Sequence, residues 1–137
     1  MDFPHLFAEL TMLYDATLLD TIGRLLIVGS FLVAGLCNMT PARIKDHVDR
    51  MAAFGTPLPA AAFWIGIAIQ FAGCALLIVG WHADVGAILL IVFTVFATAI
   101  FHRFWQKPDP QRNLSRIMFL NNTGILGGLV LLWQNVS

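Results

Sequence analysis

Residues 94–128, TVFATAIFHRFWQKPDPQRNLSRIMFLNNTGILGG, decide the fold. An apolar run ends in His102, Arg103 and Trp105. A basic loop turns at Pro108 and Pro110, and a second apolar run carries Asn121 and Asn122 a little over one turn inside it. Two hydrophobic helices joined in this way form a hairpin, with polar side chains just under its closed end. Thr94, Thr98 and His102 stand at i, i+4 and i+8 and therefore share one helix face. On that face the threonines can bond back to their own helix carbonyls, and His102 can titrate near neutral pH.

The rest of the chain repeats this apolar texture. Of 137 residues, 58% are hydrophobic and 12% charged, where a soluble domain carries about 25% charged residues. So few charges cannot cover a water-facing surface, so lipid must cover much of it. Four segments are long enough for the ~20 residues a bilayer needs: about residues 19–37, 59–80, 85–104 and 117–133. Two amphipathic segments complete a single membrane domain. Residues 4–17 repeat apolar side chains at helical spacing, and they either lie along the membrane surface ahead of the first span or pack on a partner subunit. Residues 41–53 follow Thr40 as an N-cap and Pro41 at the first helical position. There Ile44, Val48, Met51 and Phe54 would face the membrane, with Arg43, Lys45, Asp46, Asp49 and Arg50 in water. The expected fold is an all-α, four-transmembrane-helix bundle with an N-terminal and a loop amphipathic helix. The N-terminus lacks the basic start and cleavage site of a signal peptide, so the mature chain is expected to begin near Met1.

Polar and small residues inside the spans mark candidate contacts. Arg24, a turn inside the first span, can snorkel or pair with Asp20 at i, i+4. Gly66, Gln70, Gly73 and Cys74 share a face of the second span, and small residues on such a face let another helix come close. Gln70 would lie near mid-bilayer, where its amide needs a partner. On the last span Asn121, Gly124 and Gly128 share a face, and Gly124-xxx-Gly128 predicts close helix packing. Cys37 and Cys74 have no metal-ligand spacing and are placed too far apart for a disulfide; no metal site is expected.

Charge sets the orientation. Arg43, Lys45, Arg50, Arg103, Lys107, Arg112 and Arg116 all fall in the first and third loops or at their borders. The positive-inside rule places these loops in the cytoplasm and both termini outside it. Trp81 and Trp133 then mark the outer interface, Trp64 and Trp105 the inner one. His102, Arg103, Trp105, Asn121 and Asn122 come to one depth near the inner edge. A recess there, walled by Trp105, could take a quinone or a lipid headgroup, with Arg103 attracting a phosphate or His102 bonding a carbonyl. The alternative is a structural clasp of the hairpin.

In this order the chain resembles the DoxX-like family of small bacterial membrane proteins, over residues 23–133. The marks are Arg24, AGLCNM (34–39), AAFGTPLP (52–59), IQFAGCALLIVG (69–80), TAIFHRFW (98–105) and FLNNTGILGGLVLL (119–132). The resemblance implies a four-helix fold in the bacterial inner membrane and a redox context, the family being named after a subunit of a thiosulfate:quinone oxidoreductase. Family members often carry a lysine ending the first span, a glutamate in the second and a lysine in the last. Here Asn38, Gln70 and Asn121 stand in those places, neutral amides where a charge network would run, and the serine-leucine-aspartate ending is absent.

Three functions follow as expectations. The first is a non-catalytic membrane subunit of a larger redox or energy-converting complex, hetero- or homo-oligomeric. The second is a quinone-reactive or redox-active protein using the inner-edge site, and the third a small transporter. The bilayer and other membrane subunits are the expected partners. No nucleic acid and no covalently bound cofactor are expected; a quinone or lipid is the expected ligand.

Overall fold

The computed structural model describes residues 2–137, and for residues 9–16 the backbone alone. Five α-helices follow in order: α1 (Phe3–Cys37), α2 (Pro41–Phe54), α3 (Pro59–Val79), α4 (Ala83–Phe101) and α5 (Gln111–Val136), with a single 3-10 turn at Phe104–Gln106 between α4 and α5. Among the described residues, four segments are long and apolar enough to cross a membrane: Thr17–Cys37, Pro59–Val79, Ala83–Gln106 and Gln111–Val136. Among the described residues there is no strand. The fold is an all-α, four-span bundle with an amphipathic helix, α2, in the first loop.

Local chemistry sets the helix ends. The Thr40 hydroxyl accepts from the Arg43 amide at 3.3 Å, capping α2. Gly55 closes α2 with φ +95°, and Gly80 closes α3 with φ +77°, values at which a Cβ would be strained. The N-terminal segment expected over residues 4–17 is the first half of α1 rather than a separate helix. The 35 residues of α1 span roughly 52 Å at ~1.5 Å each, well beyond a ~30 Å hydrocarbon core. Its expected apolar face includes Leu10, Leu13 and Tyr14, whose side chains lie outside the described residues.

The core lies where α3 and α4 meet α1 and α5. Val28, Phe31, Cys74, Leu77, Ala87, Leu90, Leu129 and Leu132 form it. Gly73 and Gly86 bring α3 and α4 close: a Cβ added at Gly73 would lie 2.9 Å from Leu90 Cγ and 3.0 Å from the Gly86 carbonyl oxygen. A second cluster, Met51, Phe63 and Ile67, joins α2 to α3, with Ile44, Val48 and Phe101 packed against it. This corrects one expectation. The apolar face of α2 turns onto α3 and α4 instead of lipid, because those helices leave an apolar surface uncovered at that end of the bundle.

The glycine pattern needs a second correction. Gly73 packs tightly, and a Cβ at Gly66 would make an ordinary 3.9 Å contact with Phe93. A Cβ at Gly124 would meet nothing within 4 Å, and one at Gly128 would meet only Ile27 Cδ1 at 3.8 Å. The GxxxG face of α5 is therefore not a tight contact inside this chain. Cys74 is buried and Cys37 exposed, both free thiols.

Candidate functional site

The polar side chains of the spans fall into three groups. At the end away from α2, Arg24 Nη2 donates to Asp20 Oδ2 at 3.0 Å, and Asn135 Nδ2 donates to Asp20 Oδ1, tying α5 to α1. This is the structural pair that the i, i+4 spacing predicts. Arg24 and Asp20 are about a quarter to a third exposed, so their ion pair contributes little by itself.

The second group holds the α4–α5 hairpin. Thr94 Oγ1 donates to the Leu90 carbonyl at 2.7 Å and Thr98 Oγ1 to the Thr94 carbonyl at 2.6 Å. Thr98 Oγ1 also accepts from Asn122 Nδ2 at 2.9 Å, a bond between helices. Nearer the loop, Lys107 Nζ donates to the Phe101 carbonyl at 2.6 Å and to Ser115 Oγ at 2.7 Å. Burial holds the Lys107 ammonium below the ordinary lysine range, and the Arg50 charge adds to the shift.

The third group surrounds a cavity of about 700 Å³ between α2, α3 and α4. Its walls are mostly apolar, with Gly66, Ile69, Phe93, Phe96 and Ala97 among them, and its size is that of a small-molecule pocket. Gln70 lines it and is 2% exposed. Gln70 Nε2 donates to the Phe31 carbonyl at 2.7 Å, but Oε1 is buried without a partner. His102 and Thr56 also line the cavity, and His102 Nδ1 and Thr56 Oγ1 are likewise buried and unpartnered. Buried polar atoms in native proteins nearly always have a partner. Three such atoms on residues around one cavity therefore call for water or a ligand.

The five residues expected to form one inner-edge recess are not gathered there. Of His102, Arg103, Trp105, Asn121 and Asn122, only His102 lines the cavity. α4 ends at Phe101, and His102 takes φ −123° as its C-cap, so the chain turns before Arg103. The Arg103 guanidinium lies over the Phe54 ring, 3.7 Å from its centroid, and clamps α4 to the end of α2. Trp105 stacks edge-on with Phe104 and Phe119 and is half exposed. Asn122 turns to Thr98, while Asn121 points outward on α5.

In their place stand residues of α2. Arg43, His47 and Arg50 line the cavity, at i, i+4 and i+7 on one face of α2. His47 packs against the Phe63 and Phe101 rings, and Arg50 lies 5.0 Å from the Phe101 ring centroid. Arg43 and Arg50 stay exposed, as expected of the polar face of α2, and so stand at the cavity's open edge, with His47 half-buried between them. Among the described residues, no three His, Cys, Asp or Glu side chains are grouped to hold a metal.

A four-span integral membrane protein with a polar-edged cavity between its helices is the class these features define. The chain belongs to the DoxX family: that family's profile, described as DoxX, matches residues 19–103. Inner membrane protein YphA of Escherichia coli (strain K12) is 27% identical over 111 residues, covering 81% of this chain and 78% of YphA. No solved structure matches.

Proposed function

We propose that the chain is a non-catalytic inner-membrane subunit of a larger redox or energy-converting assembly, and that its task there is to hold a lipid-soluble ligand, a quinone or a lipid, in the α2–α3–α4 cavity. The inner-membrane placement follows the YphA likeness. One observation carries the ligand: Gln70 Oε1, His102 Nδ1 and Thr56 Oγ1, all unpartnered, belong to residues lining a cavity with mainly apolar walls. A bound amphiphile supplies both apolar contact and hydrogen bonds. Membership of an assembly is supported by α5, where Asn121 is exposed on an apolar span and Gly124 faces open space. An amide at that depth in lipid needs a partner from outside the chain.

Native mass spectrometry of the protein in mild detergent tests the ligand. The wild-type chain is expected to carry a small-molecule adduct. Gly66→Leu, which fills the cavity beside Phe93 while adding a better helix former, is expected to lose it. A wild-type protein with no adduct in any mild detergent would remove the basis for this reading.

The proposed orientation puts the cavity's arginine-bearing end at the cytoplasmic face. In a background without Cys37 and Cys74, cysteines at Asp46 or Gln111 are expected to resist an impermeant thiol reagent in intact cells. Cysteines at Asp84 or Ser137 are expected to label. The opposite labelling would invert the orientation.

A further inference from the structure

The cavity edge carries an unbalanced charge. Arg43 and Arg50 line it and, among the described residues, no carboxylate does. The carboxylate paired with Arg50, Asp46, stands 3.6 Å away at the exposed surface and outside the lining. Both arginines lie on α2, the amphipathic helix at the bundle end, while the apolar wall at Phe93 and Phe96 belongs to α4, one of the spans. A guanidinium is a planar fork of donors suited to phosphate oxygens. A neutral ring such as a quinone head leaves the Arg43 guanidinium without a counter-charge and Arg50 with only its exposed partner Asp46. An anionic phospholipid offers a phosphodiester at the depth of α2 and an acyl chain at the depth of Phe93 and Phe96.

We propose that the cavity is a binding site for an anionic glycerophospholipid of the leaflet in which α2 lies, its phosphate held between Arg43 and Arg50 and one acyl chain lying along Phe93 and Phe96. This rests on the reading of the cavity as a ligand site and names the ligand's class. Thr56 Oγ1 and His102 Nδ1, buried and without partners on residues of the lining, bond head-group oxygens once their side chains turn into the cavity. Gln70 stands roughly 16 Å along α3 from Pro59, at ~1.5 Å per residue, too deep for the head group, so in this mode its Oε1 is satisfied by a water beside the acyl chain.

The test loads delipidated full-length protein with phosphatidylglycerol, phosphatidylethanolamine or a short-chain ubiquinone, and reads retention by native mass spectrometry. Wild type is expected to retain phosphatidylglycerol about tenfold better than the other two, a difference of about 1.4 kcal/mol. Raised salt should erode that preference, a check that needs no variant. The pair Arg43→Gln and Arg50→Gln is expected to abolish the preference, and Gly66→Leu to block every ligand. Excess inorganic phosphate is expected not to displace the lipid; displacement would overturn the acyl-chain half of the proposal. Retention of ubiquinone equal to that of phosphatidylglycerol, unchanged by salt and by the arginine variants but lost in Gly66→Leu, would overturn the anionic ligand and leave the cavity reading standing. Retention in Gly66→Leu equal to wild type would overturn both.

Discussion

Gly73→Leu is expected to unfold the bundle in detergents that leave the wild-type protein intact. α3 and α4 share the most extensive contact of any two helices here, and they approach through Gly73 and Gly86. A Cβ at Gly73 lies 3.0 Å from the Gly86 carbonyl oxygen, and one at Gly86 lies 3.0 Å from the Gly73 carbonyl oxygen. Those atoms are backbone, so neither can swing aside as a side-chain tip can. The added isobutyl group must either push α3 away from α4 or displace Leu90, which is fully buried. Overpacking of a close-packed core costs about 3 kcal/mol at the upper end of its usual range, comparable with much of a domain's net stability. Denaturant or thermal unfolding in one detergent, wild type beside variant, reads the loss. Gly124→Leu is the control: no atom lies within 4 Å of a Cβ there, so the isolated chain should keep its midpoint. Equal midpoints for wild type and Gly73→Leu would mean that α3 and α4 do not meet at these glycines.

These two glycines also mark where sequence reasoning stops in a membrane bundle. In water an amphipathic helix announces its buried face, because its other face must be polar. α2 obeys that rule, so its apolar stripe of Ile44, Val48 and Met51 is readable, but amphipathicity does not say whether lipid or a neighbouring helix covers the stripe, and here α3 does. The four spans are apolar all round, and lipid accepts any of their faces. Composition and the Gly and Pro turns therefore reveal four helices and their order, but not the rotation of each about its axis. A GxxxG pattern reports a flat helix face without saying whose helix meets it, so Gly124 and Gly128 looked like the packing pair while Gly73 and Gly86 close the gap.

The same limit governed the site. Gln70 and His102 stood out because a polar group in an apolar span is costly unless it is partnered. Their common cavity was not legible, since it depends on α2 folding back over α3 and α4 and on the helix stopping at Phe101. Equal depth along neighbouring spans suggested that His102, Asn121 and Asn122 meet. Depth fixes only one coordinate, and the helix rotations send Asn122 to Thr98 and Asn121 outward.

Lys107→Met is expected to loosen the α4–α5 hairpin by about 3 kcal/mol. Two features of the turn make one ammonium group this influential. First, α4 ends at Phe101, leaving last-turn carbonyls without intrahelical donors, and Lys107 Nζ reaches the Phe101 carbonyl at 2.6 Å. A cation at that end of a helix also opposes the negative pole of its dipole. Second, the same ammonium donates to Ser115 Oγ at 2.7 Å, on a residue only 6% exposed in the first turns of α5. Methionine keeps the length of the stem and its apolar contacts but removes both bonds at once. A hydrogen bond to a charged group contributes about 1.5–3 kcal/mol, and a buried partner left unsatisfied adds its own desolvation cost. Ser115→Ala removes only one of the two bonds and should lower stability by about 1 kcal/mol. Because the residues touch, the double variant Lys107→Met with Ser115→Ala should lose less than the sum of the two single losses. Thermal midpoints of the four proteins measure that coupling, and protease cleavage between residues 105 and 112 should quicken in Lys107→Met before global unfolding. Strictly additive losses, with cleavage no faster than wild type, would mean that Lys107 does not join the two helices.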